Sequence, residues 1–163
     1  MAKSDSFFIR AGVDTNGTTY AQASIDLGAY VDALGKSVLR IHNIAVQYGT
    51  PMTSYAGPVN TSNSVAFQLT TQSQTDMVTV EDKSVICSGK LAVATGPAIV
   101  DMMSESLDVA PQHWTNGYLV GVEQIYLAVD QTANLTNGIQ VVLECTVETL
   151  SQNAAMALAL SQQ

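Results

Sequence analysis

Charge is what this chain of 163 residues has least of. Asp, Glu, Lys and Arg make up 12% of it, about half the share of an ordinary soluble domain. Positive charge is scarcer still, with Lys3, Arg10, Lys36, Arg40, Lys83 and Lys90 set against 14 acids for a formal net charge of -8. Those six cations are dispersed along the chain and form no basic arm that could release counterions from a phosphate backbone, which argues against direct nucleic-acid binding. The same sign disfavours an anionic membrane surface. No apolar run approaches the ~20 residues that span a bilayer, and the start Met-Ala-Lys-Ser-Asp-Ser lacks the apolar core of a secretory signal. No transmembrane segment is expected, and synthesis in the cytoplasm is.

Residues that announce chemistry are also few. The two histidines, His42 and His113, sit in no metal-ligand spacing. His42 lies inside an apolar run and reads as a structural histidine, and His113 beside Trp114 as part of an aromatic corner plugging one end of the fold. No G-x-S-x-G elbow and no Gly-rich phosphate loop occurs, so no catalytic residue, cofactor or metal site is assigned. Asp14-Thr-Asn16-Gly17 offers oxygen ligands but lacks the later ligands of a calcium loop, and a turn explains it better. Cys87 and Cys145 fall on apolar faces, where cysteines act as small reduced core residues. The N-x-[ST] triplets at Asn16, Asn60 and Asn134 suit chance in a chain this rich in Asn and Thr.

What the sequence has in quantity is alternation. Eight runs repeat apolar and polar residues with the two-residue period of a half-buried strand. The clearest is the last, where Ile139, Val141, Leu143, Cys145 and Val147 share a face behind the turn signal Asn137-Gly138. The first, with Phe7, Ile9, Ala11 and Val13 on one face, leads through Asp14-Thr-Asn16-Gly17 into Thr18 to Leu27, and the two are expected to form a hairpin. After a helical turn or kink over Gly28 to Gly35 comes a third strand, Ser37 to Tyr48, whose few polar interruptions suggest a central strand covered on both faces. A polar loop from Gly49 to Asn63 precedes a fourth strand marked by Val65, Phe67 and Leu69. The fifth, Asp76 to Glu81, and sixth, Ser84 to Ala94, are expected to make a hairpin about Asp82-Lys83. From Ala98 to Leu107, the spacing of Ile99, Met102, Met103 and Leu107 predicts a short internal helix ended by Pro111. The seventh strand is Tyr118 to Asp130, with a bulge or exposed end at Glu123.

Beyond Leu150 the composition changes to Ser-Gln-Asn-Ala-Ala-Met-Ala-Leu-Ala-Leu, a strong helix former that Ser151 can cap. The chain therefore reads as an all-β, single-domain, eight-stranded antiparallel sandwich over 1–150 with a helical tail over 151–163. The tail is apolar on every side and must be covered, either by the chain's own sheet or by a neighbouring subunit. Met156, Leu158 and Leu160 are its candidate self-association residues.

This succession of strands, from Phe7-Phe8-Ile9 to the run Ile139 through Val147, resembles the single jelly roll of viral capsid proteins. The resemblance is one of architecture, with no diagnostic motif. It implies a self-assembling coat subunit that tiles a closed shell through contacts with its own copies, and with other virion proteins where present, and so a place in the virion. The sequence departs from many capsid proteins of small RNA viruses in lacking a basic amino-terminal arm. It is more similar to shells whose subunits leave the genome to an internal membrane or a separate packaging protein. Low charge and many small or hydroxyl residues independently suit surfaces that meet copies of themselves rather than an enzyme. Two other readings stand beside this one. A carbohydrate-binding sandwich would use Trp114 and Tyr118, with Tyr48 and Tyr55, as stacking platforms, and a small β-barrel would hold an apolar ligand.

Overall fold

The computed structural model describes residues 3–32, 34, 36–52, 58–97 and 100–163. Among these residues the chain forms nine strands and one α-helix. They are β1 (Phe7–Asp14), β2 (Ala21–Asp26), β3 (Ser37–Tyr48), β4 (Ser62–Thr70), β5 (Val85–Thr95), β6 (Val100–Val109), β7 (Tyr118–Val120), β8 (Gln124–Gln131), β9 (Gly138–Thr149) and α1 (Gln152–Ser161). One antiparallel sheet has the order β1-β9-β3-β7 and the other β2-β8-β4-β5-β6. With β6 set aside, the eight remaining strands pair first with last, second with next to last, third with sixth and fourth with fifth. Such a chain is one long hairpin doubled about β4 and β5 and rolled so that successive pairs fall in alternate sheets. That is the jelly roll, with a ninth strand added at one edge.

The rolled topology changes how several runs are used. Asp14-Thr-Asn16-Gly17 does turn, with Gly17 at φ +59° and Thr19 N–H donating to the Asn16 carbonyl at 3.1 Å. It joins no hairpin, however, because β1 pairs with β9 in one sheet and β2 with β8 in the other. The turn is a crossing between layers. The expected seventh strand likewise divides at Gly121–Glu123 into β7 and β8, which belong to different sheets. Glu123 is exposed at this crossing, where its carbonyl accepts the Leu27 N–H at 2.7 Å.

Two further expectations are corrected. Residues 76–81 form no strand. They lie in the 71–84 connection over the outer face of β4, where the Gln68 amide donates to the Val78 carbonyl at 2.6 Å and accepts its N–H at 3.1 Å. A side-chain amide thus supplies what a neighbouring strand would have supplied, and Asp82 turns the chain into β5 instead of centring a hairpin. The expected helix over 98–107 is strand β6, paired with β5 from Thr95↔Val100 to Ser88↔Val109. An available ladder partner outweighs helical spacing in so short a run; Ala98 and Ile99 lie outside the described residues.

β3 keeps its expected bounds and is internal, between β9 and β7, but it is not covered on both faces. Its register against β9 skips His42, since Ile41 faces Cys145 and Asn43 faces Glu144. This bulge resets the alternation, so that Leu39 and Ile41 point inward before it and Ile44 and Tyr48 after it. Two out-of-phase halves explain the shortage of polar interruptions. Between the sheets, Phe67, Leu39, Ile41, Leu127, Leu143 and Cys145 are fully buried in one continuous core.

Candidate interaction surface

The helix α1 begins at Ser151, whose hydroxyl accepts the Ala154 N–H at 3.3 Å. Ala155 and Ala159, one turn apart, form its buried stripe. Small residues let the helix approach closely, and Gly121 makes room for it: a Cβ there would stand 3.0 Å from Leu158 Cγ. The helix is fastened at its far end by Gln162, a buried polar residue. Its side-chain amide donates to the Leu119 carbonyl at 2.7 Å and accepts the Gly121 N–H at 2.8 Å, while its own carbonyl accepts from Thr71 Oγ1 at 3.0 Å. The chain's own sheet therefore covers half of the tail. Met156 and Leu160 remain on the outer half, exposed by 42% and 67%. Of the three self-association candidates, Leu158 is the one turned partly inward.

A cleft of about 720 Å³ opens beside this helix. Leu158 and Ser161 of α1, the following Gln162, Tyr118 and Leu119 of β7, Ile86 of β5 and Val109 of β6 line it, with Trp114 and Val80 among its other lining residues. Both ligand-stacking candidates, Trp114 and Tyr118, thus reach the same cavity from opposite ends of a short turn. Trp114 follows a single 3₁₀ turn, Pro111–His113, and is 53% exposed, so it does not plug the sandwich. Burial pushes the Tyr118 phenol above its usual range. Tyr48 is not a stacking platform: it is 4% exposed and meets Phe67 edge to face at 6.2 Å between centroids. Tyr55 lies outside the described residues.

Two of the six cations, far apart in sequence, meet at this cleft: Arg40 and Lys83. Arg40 forms a bidentate pair with Glu148, with Nε donating to Oε1 at 2.6 Å and Nη2 to Oε2 at 2.8 Å, and also donates to the Asn116 carbonyl. The hydrogen bonds from Arg40 hold the Glu148 carboxyl below its usual range. Behind them His42 Nε2 lies 2.9 Å from Thr146 Oγ1, in the structural role expected of it. Burial, then the charges of Lys3 and Arg40, depress its pKa. Lys83 Nζ lies at the rim, 3.2 Å from the Gln163 carbonyl oxygen.

The chain matches no family model and no curated protein. Among solved structures it is similar to VP1 of KI polyomavirus, from an unassembled pentamer, at TM-score 0.48 and 10% identity, covering 90% of this chain and 95% of that one. It is also similar to Desmodium yellow mottle tymovirus, at TM-score 0.36 and 13% identity over 89% of this chain and 87% of that one. Turnip yellow mosaic virus gives TM-score 0.34 and 12% identity over 89% and 93%. These are viral capsid proteins. The strand order described above is itself the jelly roll that the sequence resemblance implied.

Among the described residues, no three His, Cys, Asp or Glu side chains gather where they could hold a metal ion. Cys87 and Cys145 are free and buried, and burial pushes both thiols up to about 12, where they are inert at neutral pH. No helix among the described residues is long and apolar enough to cross a membrane.

Sequence reasoning found Trp114, Tyr118 and the helix, but missed Val80, Lys83, Arg40 and the exposed methionines of β6. Met102 and Met103 are adjacent in a strand, so they point to opposite faces, yet they are 64% and 47% exposed. A five-stranded sheet set against a four-stranded one leaves its last strand overhanging, bare on both sides over residues 102–106, before Leu107 packs against the core. Two neighbouring apolar residues with no polar alternation between them were the available signal.

Proposed function

We propose that this chain is the coat subunit of a virion shell, assembled through contacts between identical copies. The observation that carries this reading is the uncovered apolar edge. Val80, Met102, Met103, Trp114 and Leu160 are each 47% or more exposed, on a chain whose surface has few charges to offset them. Fully burying one such side chain contributes roughly 1.5–3 kcal/mol, so leaving them all in water is a large forfeit unless a partner covers them. A jelly roll presents its edges and loops for repeated contact, and a protein of net charge -8 with few cations leaves the genome to other virion components. On this reading the role is structural and carries no catalysis. Size-exclusion chromatography with light scattering, followed by negative-stain microscopy, tests it: the purified chain is expected to form rings or particles, and a monomer at high concentration would overturn it.

A second reading, a carbohydrate- or ligand-binding sandwich, is favoured by one observation, the convergence of Trp114 and Tyr118 on a single cleft. Glycan-array binding, or a ligand co-purified in native mass spectrometry, that disappears in Trp114→Ala would promote it over the shell.

A further inference from the structure

The two uncovered features of the open edge differ in charge. Among the described residues the cleft lining contains Arg40 and Lys83 and no carboxylate, and because Arg40 is already paired with Glu148, the cationic rim comes from Lys83, which adjoins Asp82 and donates to the Gln163 oxygen. The β6 edge is the reverse. Its exposed Met102 and Met103 are followed by exposed Glu105 and Asp108, with no cation on the strand. A chain of net charge -8 repels its own copies at a distance, so contact requires local pairing of opposite signs.

That requirement disfavours antiparallel pairing of the acidic half of β6, residues 104–109, with the same half of a second copy. Crossing at Ser106–Leu107 would set Glu105 opposite Asp108, and crossing at Glu105 would set that acid against itself. The partner of β6 should be apolar and cationic instead. The cleft between α1, β7 and the last residues of β6 answers to both. Val109 at the end of β6 borders the cleft, while Glu105 lies four residues back along the strand, about 13 Å away, and Met102 seven residues back, about 23 Å away. The two surfaces therefore do not overlap, and one copy can give and receive at once.

Resting on the coat-subunit reading, we infer that copies join head to tail, with the Met102–Glu105 edge of one seated in the Trp114–Leu158 cleft of the next and Glu105 meeting Lys83. Methionine suits this contact because its unbranched side chain fills irregular gaps. A heterologous contact of this kind closes into a ring or shell when the rotation permits.

Charge exchange on the full-length protein tests the pairing. Lys83→Glu and Glu105→Lys are each expected to raise the concentration needed for assembly by roughly tenfold or more, since like charges then face each other at every contact. The double variant Lys83→Glu/Glu105→Lys is expected to restore assembly. A second measurement does not depend on those variants. In Val80→Cys/Met103→Cys, a short bismaleimide should link copies into a ladder extending beyond dimers, and the buried Cys87 and Cys145 do not compete. If particles form but neither single charge variant weakens them, if the double variant is no better than the singles, or if linking stops at dimers, the head-to-tail contact is wrong while the coat reading stands. If the native chain stays monomeric, both fall.

Discussion

The two lateral edges of this sandwich are finished in opposite ways. Where β1 and β2 face each other across the layers, the chain closes the gap between the sheets itself, although Phe8 stays 61% exposed on the outer face of β1. The connection after β2 makes a helical turn in which Tyr30 and Val31 N–H groups donate to the Leu27 carbonyl, at 2.8 and 2.9 Å, and Phe7 stacks on Tyr30 at 4.9 Å. Leu27 and Val31 beneath it are essentially inaccessible, at 0% and 1%. Where β7 meets β5 and β6, the chain stops short. β7 is three residues long against ten in β6, and the space left over is the cleft. Both edges draw on the same kinds of apolar residue, so composition does not distinguish them. The difference is that one edge is completed by a segment of its own chain and the other stays open.

The sharpest way to break that comparison is to cut into the closed edge. Leu27→Ala removes a fully buried side chain and should cost roughly 2–5 kcal/mol in urea unfolding, as cavity formation adds to lost transfer energy. Val80→Ser at the open edge should change stability by no more than about 0.5 kcal/mol. Equal losses at the two sites would mean that the edges do not differ as described.

A smaller effect is expected where α1 seats on the open side. In Gly121→Val, the first added carbon would approach Leu158 Cγ to 3.0 Å and the Ala159 backbone nitrogen to 3.2 Å, so the helix must shift. Overpacking of this kind costs about 1–3 kcal/mol. Hydrogen exchange should show the amides of 152–161 losing protection before those of β9. Uniform loss across the chain would show instead that the helix is integral to the core.

The same contrast explains what the sequence disclosed. Strands sealed by their own neighbours were legible: β9 lies where its alternation put it, β3 keeps the bounds of its apolar run, and the helix begins at its capping Ser151. Expectations failed where a partner outside the run decides the outcome. Gln68 holds residues around Val78 off the sheet, and β5 turns a helix-spaced run into β6. The crossing at Gly121 splits one alternating run between two sheets. The cleft was half legible, through Trp114 and Tyr118, because aromatics stand out in sequence. Lys83 and Val80 reach it only through the fold of the 71–84 connection, for which alternation gives no clue.

Acidification should sharpen the comparison from the open side, where Arg40, Glu148 and His42 share the outer face beside the cleft. His42 is depressed below its ordinary 6.5 by burial and nearby cations, so the unfolded chain takes up its proton first and stability falls as pH drops below that value. Glu148 is held below its ordinary 4.5 by hydrogen bonds from Arg40. Its contribution is complete above that value and is lost as pH falls through the lowered pKa of the folded state. Glu148→Gln should lower stability at neutral pH by about 1–2 kcal/mol and flatten the acid limb of the stability curve. An unchanged limb would place its origin elsewhere.

The smallest effect on folding and the most pointed on function is expected from Trp114→Ala. The backbone around this residue is held independently of its ring: its N–H donates to the Pro111 carbonyl and its carbonyl accepts from Gly117 N–H, both at 3.1 Å. With the ring 53% exposed, its loss should shift the thermal midpoint by no more than about 0.5 kcal/mol's worth of stability. Under the proposed head-to-tail contact assembly should nevertheless weaken, since an aromatic at the mouth of such a cleft supplies much of the contact energy. A variant that folds and assembles as the native chain does, while losing a bound glycan, would move the open edge from subunit contact to ligand capture.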